Sequence, residues 1–263
     1  MGRIELDRAK AGRAAKKPTQ REFEERLRRM QERGTLGRIE RARVQLRTRA
    51  RPSPKDVGNF YTWIKGKDVI FIGPAGYYEE PDELDYDIVA RCNHGFESRT
   101  RTDILYVNNF FVRHDYVDDV LRRAEEINIR WVISKHPATI RRLKGRANGI
   151  GVFGLREYFL RGINKNFYMA ARGNTGANMG LLAIEHLRKT GLNSLTVRGV
   201  DFYESGYYDN YSPHHPVIDE EEIEKLQSTK THDQDMHKKY FKRHIIPDQR
   251  VNIDGTLRGI LGV

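Results

Sequence analysis

From Lys67 onward the chain alternates short apolar runs with longer stretches of mixed polarity. The apolar runs are DVIFIG (68–73), DIVARCN (87–93), DILYVNN (103–109), IRWVISKHP (129–137) and SLTVRGVD (194–201). They are mostly continuous rather than strictly alternating, and Gly, Pro, Asn or Asp closes each of them. That is the pattern of strands buried on both faces. Between them, HDYVDDVLRRAEEIN (114–128), TIRRLKG (139–145) and TGANMGLLAIEHLRKTG (175–191) read as helices. Strands alternating with helices predict an α/β domain, Rossmann-like, with a mainly parallel twisted sheet and helices on both faces. No internal repeat or low-complexity tract interrupts it.

Residues 1–50 follow another pattern. They hold one aromatic, Phe23, and no strand-like run. Thr19 is placed to cap a helix carrying Phe23, Leu27 and Met30, with Gly34 as its stop. A second helical piece, arginine-rich, covers 38–49, and RPSP at 51–54 reads as a break. The expected organisation is a basic helical arm over 1–54 and one domain over 55–263, with a lid region at about 204–230.

Charge sharpens that division. The chain of 263 residues carries a formal net charge of +11, and residues 1–51 supply 17 Lys and Arg against 7 Asp and Glu. A basic arm on a nearly neutral body is a device for attachment or steering, toward anionic lipid or nucleic acid. No run reaches the ~18 apolar residues needed to span a bilayer, and the start lacks a signal peptide's apolar core. The single cysteine, Cys92, cannot form an internal disulfide, so a cytoplasmic setting is expected.

The strand ends carry the chemistry. In open α/β sheets, ligands bind beyond the carboxyl ends of the strands. Those ends read Gly73-Pro74-Ala75-Gly76, Asn93, Asn108-Asn109 and Asp201-Phe202-Tyr203. Amides that both donate and accept suit a base or ribose. In RGNTGANMGLLAIEHL (172–187), Asn174 or Thr175 is the expected cap of a helix whose free N–H groups can hold an anion, and Gly173 and Gly176 open the backbone to a ligand. It is not a Walker loop. His232 precedes a helix bearing Met236, Tyr240 and Phe241 and can serve as a general base. His232, Asp235 and His237 make poor geometry for a metal on one helix, and no metal site is expected. DYD at 85–87 lies before its strand, at the wrong end for a ligand.

In this order, the motifs resemble the bacterial sialyltransferases of the small cytoplasmic type, with a weaker similarity to the animal enzymes, over about Val69 to Ile246. DYDIVARCNHGFES is similar to the family's strand ending in Arg-Cys-Asn, which implies Asn93 on the donor nucleotide. DILYVNNFFVRHDYV resembles the strand ending in Asn-Phe-Phe and implies Asn109. RGNTGANMGLLAIEHL resembles the family's Arg-x-x-Ser/Thr-Gly helix start and implies Arg172, Thr175 and Gly176. VRGVDFYESGYYDNY resembles a strand ending in Gly-Ile-Asp-Phe-Tyr with further tyrosines. His232 is similar to the family's catalytic His. One departure stands out: Pro74, in GPAG, occupies the region of the family's first-loop Asn.

The resemblance implies a GT-A-like variant of the fold and an inverting, metal-independent transferase that uses a CMP-sugar of the sialic acid or Kdo type. No cofactor is expected beyond that donor. His232 would take the acceptor's proton. Tyr203, with Tyr208 or Tyr211, would stabilise the departing CMP phosphate as neutral donors. Gly73, Asn93, Asn109, Asn174, Thr175, Gly176 and Asp201 make up the expected donor site, with Arg172 among the catalytic residues. The acceptor is a glycan, with the arm on an anionic membrane surface, or a nucleic acid in the manner of a viral enzyme, then working in the host cytoplasm. A homo-oligomer would fit the family. Two alternatives remain: a binding module that has lost catalysis, and a metal-using enzyme of UDP-sugars with Mn²⁺ at Asp85 and Asp87.

Overall fold

The structure is a computed structural model and describes residues 54–76, 85–96, 101–108, 117–127, 129–144, 146–147, 149–155, 177–205 and 233–263. The chain divides into two units, Met1–Thr48 and Arg49–Val263. Every described residue belongs to the second, and the arm lies outside the described residues.

The described strands form one seven-stranded parallel sheet: β1 (Asp68–Ile72), β2 (Ile88–Cys92), β3 (Ile104–Val107), β4 (Trp131–Ser134), β5 (Gly151–Gly154), β6 (Ser194–Arg198) and β7 (Val251–Ile253). Their order is β5-β4-β3-β2-β1-β6-β7, and each neighbouring pair runs parallel. The helices are α1 (Pro54–Ile64), α2 (Val117–Glu126), α3 (Pro137–Lys144), α4 (Met179–Arg188), α5 (Gln234–Tyr240) and α6 (Gly255–Leu261).

The continuous apolar runs have the expected cause. Val69, Phe71, Ala90, Tyr106 and Val197 face one core together with residues of α1, α4 and α6. Leu105, Val107 and Val132 face the opposite core, beneath α2 and α3. A strand covered on both faces has no solvent side on which to place polar residues. Leu181, Leu182, Ala183, Ile184 and Leu187 of α4 are all buried, at about 1.5–3 kcal/mol for each large side chain.

Four elements depart from the sequence reading. RPSP does not simply break the chain: Pro54 opens α1, where the missing N–H costs nothing. Residues 255–261 form a helix capped by Asp254, whose carboxylate accepts from Leu257 N–H at 2.7 Å. β5 and β7 are strands of four and three residues with only two apolar side chains each, Val152 and Phe153, and Val251 and Ile253.

Candidate active site

β1 is the point at which the strand order reverses, since β2 to β5 extend to one side and β6 and β7 to the other. A crevice opens there at the carboxyl ends of the strands, as the topology of open α/β sheets requires. It is a cavity of about 80 Å³. Pro74 follows β1, Cys92 and Asn93 end β2, and Val200 to Tyr203 follow β6; all line it. The start of α4 forms another wall, and Phe241 closes the apolar side.

Three non-glycine residues among those described have left-handed backbones: Asn93 at φ 51°, Phe202 at φ 57° and Tyr203 at φ 68°. All three line this cavity. Such conformations are costly for L-residues and persist where the surroundings impose them, commonly at functional sites. Asn is the residue best suited to it; Phe and Tyr are not.

Asn93 turns out of β2 into a single 3-10 turn (Asn93–Phe96). Its Oδ1 accepts from Asn108 N–H at 3.2 Å, tying the ends of β2 and β3 together. Asn93 lines the cavity, and its Nδ2 is a donor not used in this bond. Cys92 beside it is buried.

The turn after β6 is organised by Asp201. Its carboxylate accepts from the N–H groups of Tyr203 at 3.0 Å and Ser205 at 2.6 Å, and from the Ser205 hydroxyl. Burial raises its pKa, partly offset by these bonds. Asp201 therefore shapes the turn that carries Tyr203 while itself lining the cavity. Phe202 meets Phe241 edge-on at 6.0 Å, while Glu204 pairs with Lys238 of α5.

Gly73 does not line the cavity. A Cβ there would lie 2.2 Å from the Gly199 carbonyl oxygen and 2.7 Å from a Val200 methyl. Gly73 donates to the Arg198 carbonyl at 2.8 Å and Ala75 to that of Gly199 at 2.9 Å. Glycine is required because β1 and β6 close backbone to backbone.

The helix start also differs from expectation. α4 begins at Met179, not near 175, and its cap is Asn178, whose Oδ1 accepts from Leu181 N–H at 2.8 Å. Asn174 and Thr175 thus precede the helix start. The shorter amide of Asn178 sits where the first turn needs an acceptor. The first turn carries no acidic side chain, so its positive end is not neutralised from within the helix, and Met179, Gly180 and Leu181 line the cavity.

Asn178 also donates its backbone N–H to Nε2 of His237 at 3.1 Å. His237 is fully buried, and its Nδ1 lies 2.6 Å from the Asp233 carbonyl. Asp233 caps α5 through its side chain, accepting from Met236 N–H at 3.0 Å. A π turn (Phe241–Ile245) follows α5 and places Phe241 in the cavity. Such turns recur at functional sites.

His232, Tyr208, Tyr211, Arg172, Asn109, Asn174, Thr175 and Gly176 lie outside the described residues. Among the described residues, no three of His, Cys, Asp and Glu group as a metal site, and no helix is long and apolar enough to cross a membrane. Asp87 accepts from Asp68 N–H at 3.0 Å, at the opposite end of the sheet from the cavity. The sequence reading did not single out Asn178, His237 or Phe241 for the cavity. Asn178 was legible as a good cap three residues before Leu181; His237 had no such signal.

No family model matches the chain, and no curated protein matches it by sequence. Solved structures do. A Tyr-to-Phe variant of the sialyltransferase CstII of Campylobacter jejuni in complex with CMP superposes with a TM-score of 0.51 at 15% identity, over 71% of this chain and 80% of that one. CstII with a trisaccharide acceptor and CMP gives 0.50 at 16% identity, over 74% and 85%. The chain has the fold of the bacterial sialyltransferases. In this sialyltransferase-like fold, the crevice at β1 is flanked by Asn93, Tyr203 and the Asn178 helix start.

Proposed function

We propose that the protein is an inverting, metal-independent glycosyltransferase that takes its sugar from a CMP-linked donor. The observation that carries this reading is the meeting of Asn93, Tyr203 and the α4 start in one cavity at the switch point of such a fold. The amides of Asn93 and Asn109 hold the nucleoside. The N–H groups at the start of α4, with Asn174, Thr175 and Gly176 just before it, hold the phosphate. Arg172 adds positive charge. The acceptor oxygen attacks the anomeric carbon while the bond from that carbon to the phosphate oxygen breaks, and the electron pair leaves on CMP. His232 takes the acceptor's proton. The hydroxyl of Tyr203, with Tyr208 or Tyr211, donates to the leaving phosphate. One direct displacement inverts the carbon.

The anchoring of Asp233 supports His232 in this role. Asp233 is anchored through His237 to Asn178, so the residue that follows His232 in sequence is tied to the cavity wall. The test is a thermal-shift comparison of CMP, UDP and GDP, followed by turnover of a CMP-sugar by wild type and His232→Ala. CMP at ~100 times its dissociation constant stabilises by ~2.7 kcal/mol. His232→Ala loses roughly 10²–10⁴-fold in rate, and chelator leaves wild type unchanged. A preference for UDP, or activity lost with chelator, refutes the reading.

A further inference from the structure

We propose that Lys135, which stands just beyond the cavity's own lining on the β4 side, binds the negative charge of the donor, either its phosphate or a carboxylate on its sugar. The inference rests on the CMP-sugar reading and adds a residue that the motifs did not mark.

Lys135 follows β4 directly, so it stands on the same rim as Asn93 and Tyr203. Val107 pairs with Ser134, which puts Lys135 level with Asn108. Asn108 is hydrogen-bonded to Asn93. Two strand spacings place the Lys135 backbone roughly 10 Å from that of Asn93, and its four-carbon stem reaches into that gap. Side chains alternate along a strand. Ile133 faces the core under α4, so Lys135 points to the same side. Its Nζ confirms the direction: it lies 3.4 Å from the carbonyl of Ala177, the residue before the cavity-lining Asn178.

The placement is electrostatically unfinished. Lys135 is half-buried, and burial lowers its pKa. No ion pair joins it to a carboxylate among the described residues; its one hydrogen bond, to Ala177, is long. It also stands beside the positive end of α4, where a cation is disfavoured. An anion seated between the ammonium and the helix start answers both at once, with a charge-assisted bond of the stronger kind.

The test uses the full chain, with calorimetric titration of cytidine, CMP and CMP-sialic acid into wild type, Lys135→Gln and Lys135→Arg. Lys135→Gln is expected to weaken binding about 10–100-fold and Lys135→Arg to restore most of it, with cytidine unaffected throughout. A loss already present for CMP assigns the phosphate; a loss confined to CMP-sialic acid assigns the sugar carboxylate. Melting curves without ligand show that the Gln variant is folded. If that variant melts early, Lys135→Met and the arginine variant decide, by the same affinity ratios. Equal affinities in wild type and the uncharged variants overturn the role of Lys135 and leave the nucleotide reading intact. A wild-type protein that binds none of the three overturns both.

Discussion

The backbone N–H of Asn178 is held by Nε2 of His237 at 3.1 Å, across the join between α4 and α5. Because the other ring nitrogen lies 2.6 Å from the Asp233 carbonyl, it must donate there, and the imidazole is neutral with its proton on Nδ1. One buried ring thus fixes both the helix start that walls the cavity and the turn that follows His232. His237→Leu leaves the Asn178 N–H unsatisfied, while the Asp233 carbonyl keeps its bond from the His237 backbone N–H at 3.1 Å. It is expected to cost roughly 1–3 kcal/mol, measured by denaturant unfolding, and to weaken CMP binding as well. Normal stability with normal binding would show that the ring is not a brace.

Asn93 separates backbone from side-chain roles. At φ 51°, Asn93→Gly keeps the conformation and removes the amide, whereas Asn93→Ala removes the amide and adds strain. Both are expected to lose about tenfold in CMP affinity, for one hydrogen bond of about 1–1.5 kcal/mol. The alanine variant should be less stable than the glycine variant by about 1–2 kcal/mol. Equal stability of the two would mean that the left-handed turn is not imposed.

Tyr203→Phe keeps the ring and removes the hydroxyl. Turnover is expected to fall by about 10²–10³-fold, the usual loss for one donor to developing negative charge. Melting and substrate KM should stay near those of wild type. A parallel fall in stability would instead assign the hydroxyl to the turn.

Acid stability should depend on His186. Its ring is buried, stacked on Phe60, with Tyr106 Oη 2.7 Å from Nδ1 and Tyr61 Oη 3.2 Å from Nε2. Burial lowers its pKa to about 3. The folded state therefore holds the neutral form, and the unfolded chain binds the proton first. Stability is complete above the unfolded value, near 6.5, and falls as pH drops from there toward 3. The slope approaches about 1.4 kcal/mol per pH unit. Asp248, lowered to about 2 by Arg250, and Glu185, held low by Arg188 and Lys189 against burial, act only further into acid. Asp103 and Asp201, both raised by burial, act in the opposite sense in the carboxylate range. Urea unfolding between pH 7 and 5 should show the slope in wild type and a flatter one in His186→Gln. Equal slopes would reject His186 as the source.

Periodicity revealed most of the sheet because burial on both faces is written directly into sequence. DVIFIG and DILYVNN could hardly be anything but inner strands. Asn93 and Tyr203 were visible because they follow such runs. What stayed hidden is contact between distant segments. Gly73 looked like a ligand loop, yet its lack of a side chain answers to Gly199. Asp201 was visible as a residue of the cavity, but not as the group that closes a turn within its own five residues. His237 is buried against α4 by an encounter 59 residues away in sequence. Lys135 carries no motif at all.

Asp68 of β1 pairs with Ser194 of β6, and the cavity lies where these two strands finish. The chain must therefore be threaded through most of its length before a binding crevice can exist. Pairings between residues so far apart assemble slowly. Nucleotide capture then doubles as a report of completed assembly: fragments ending before β6 carry five of the seven strands and lack the cavity wall from Val200 to Tyr203.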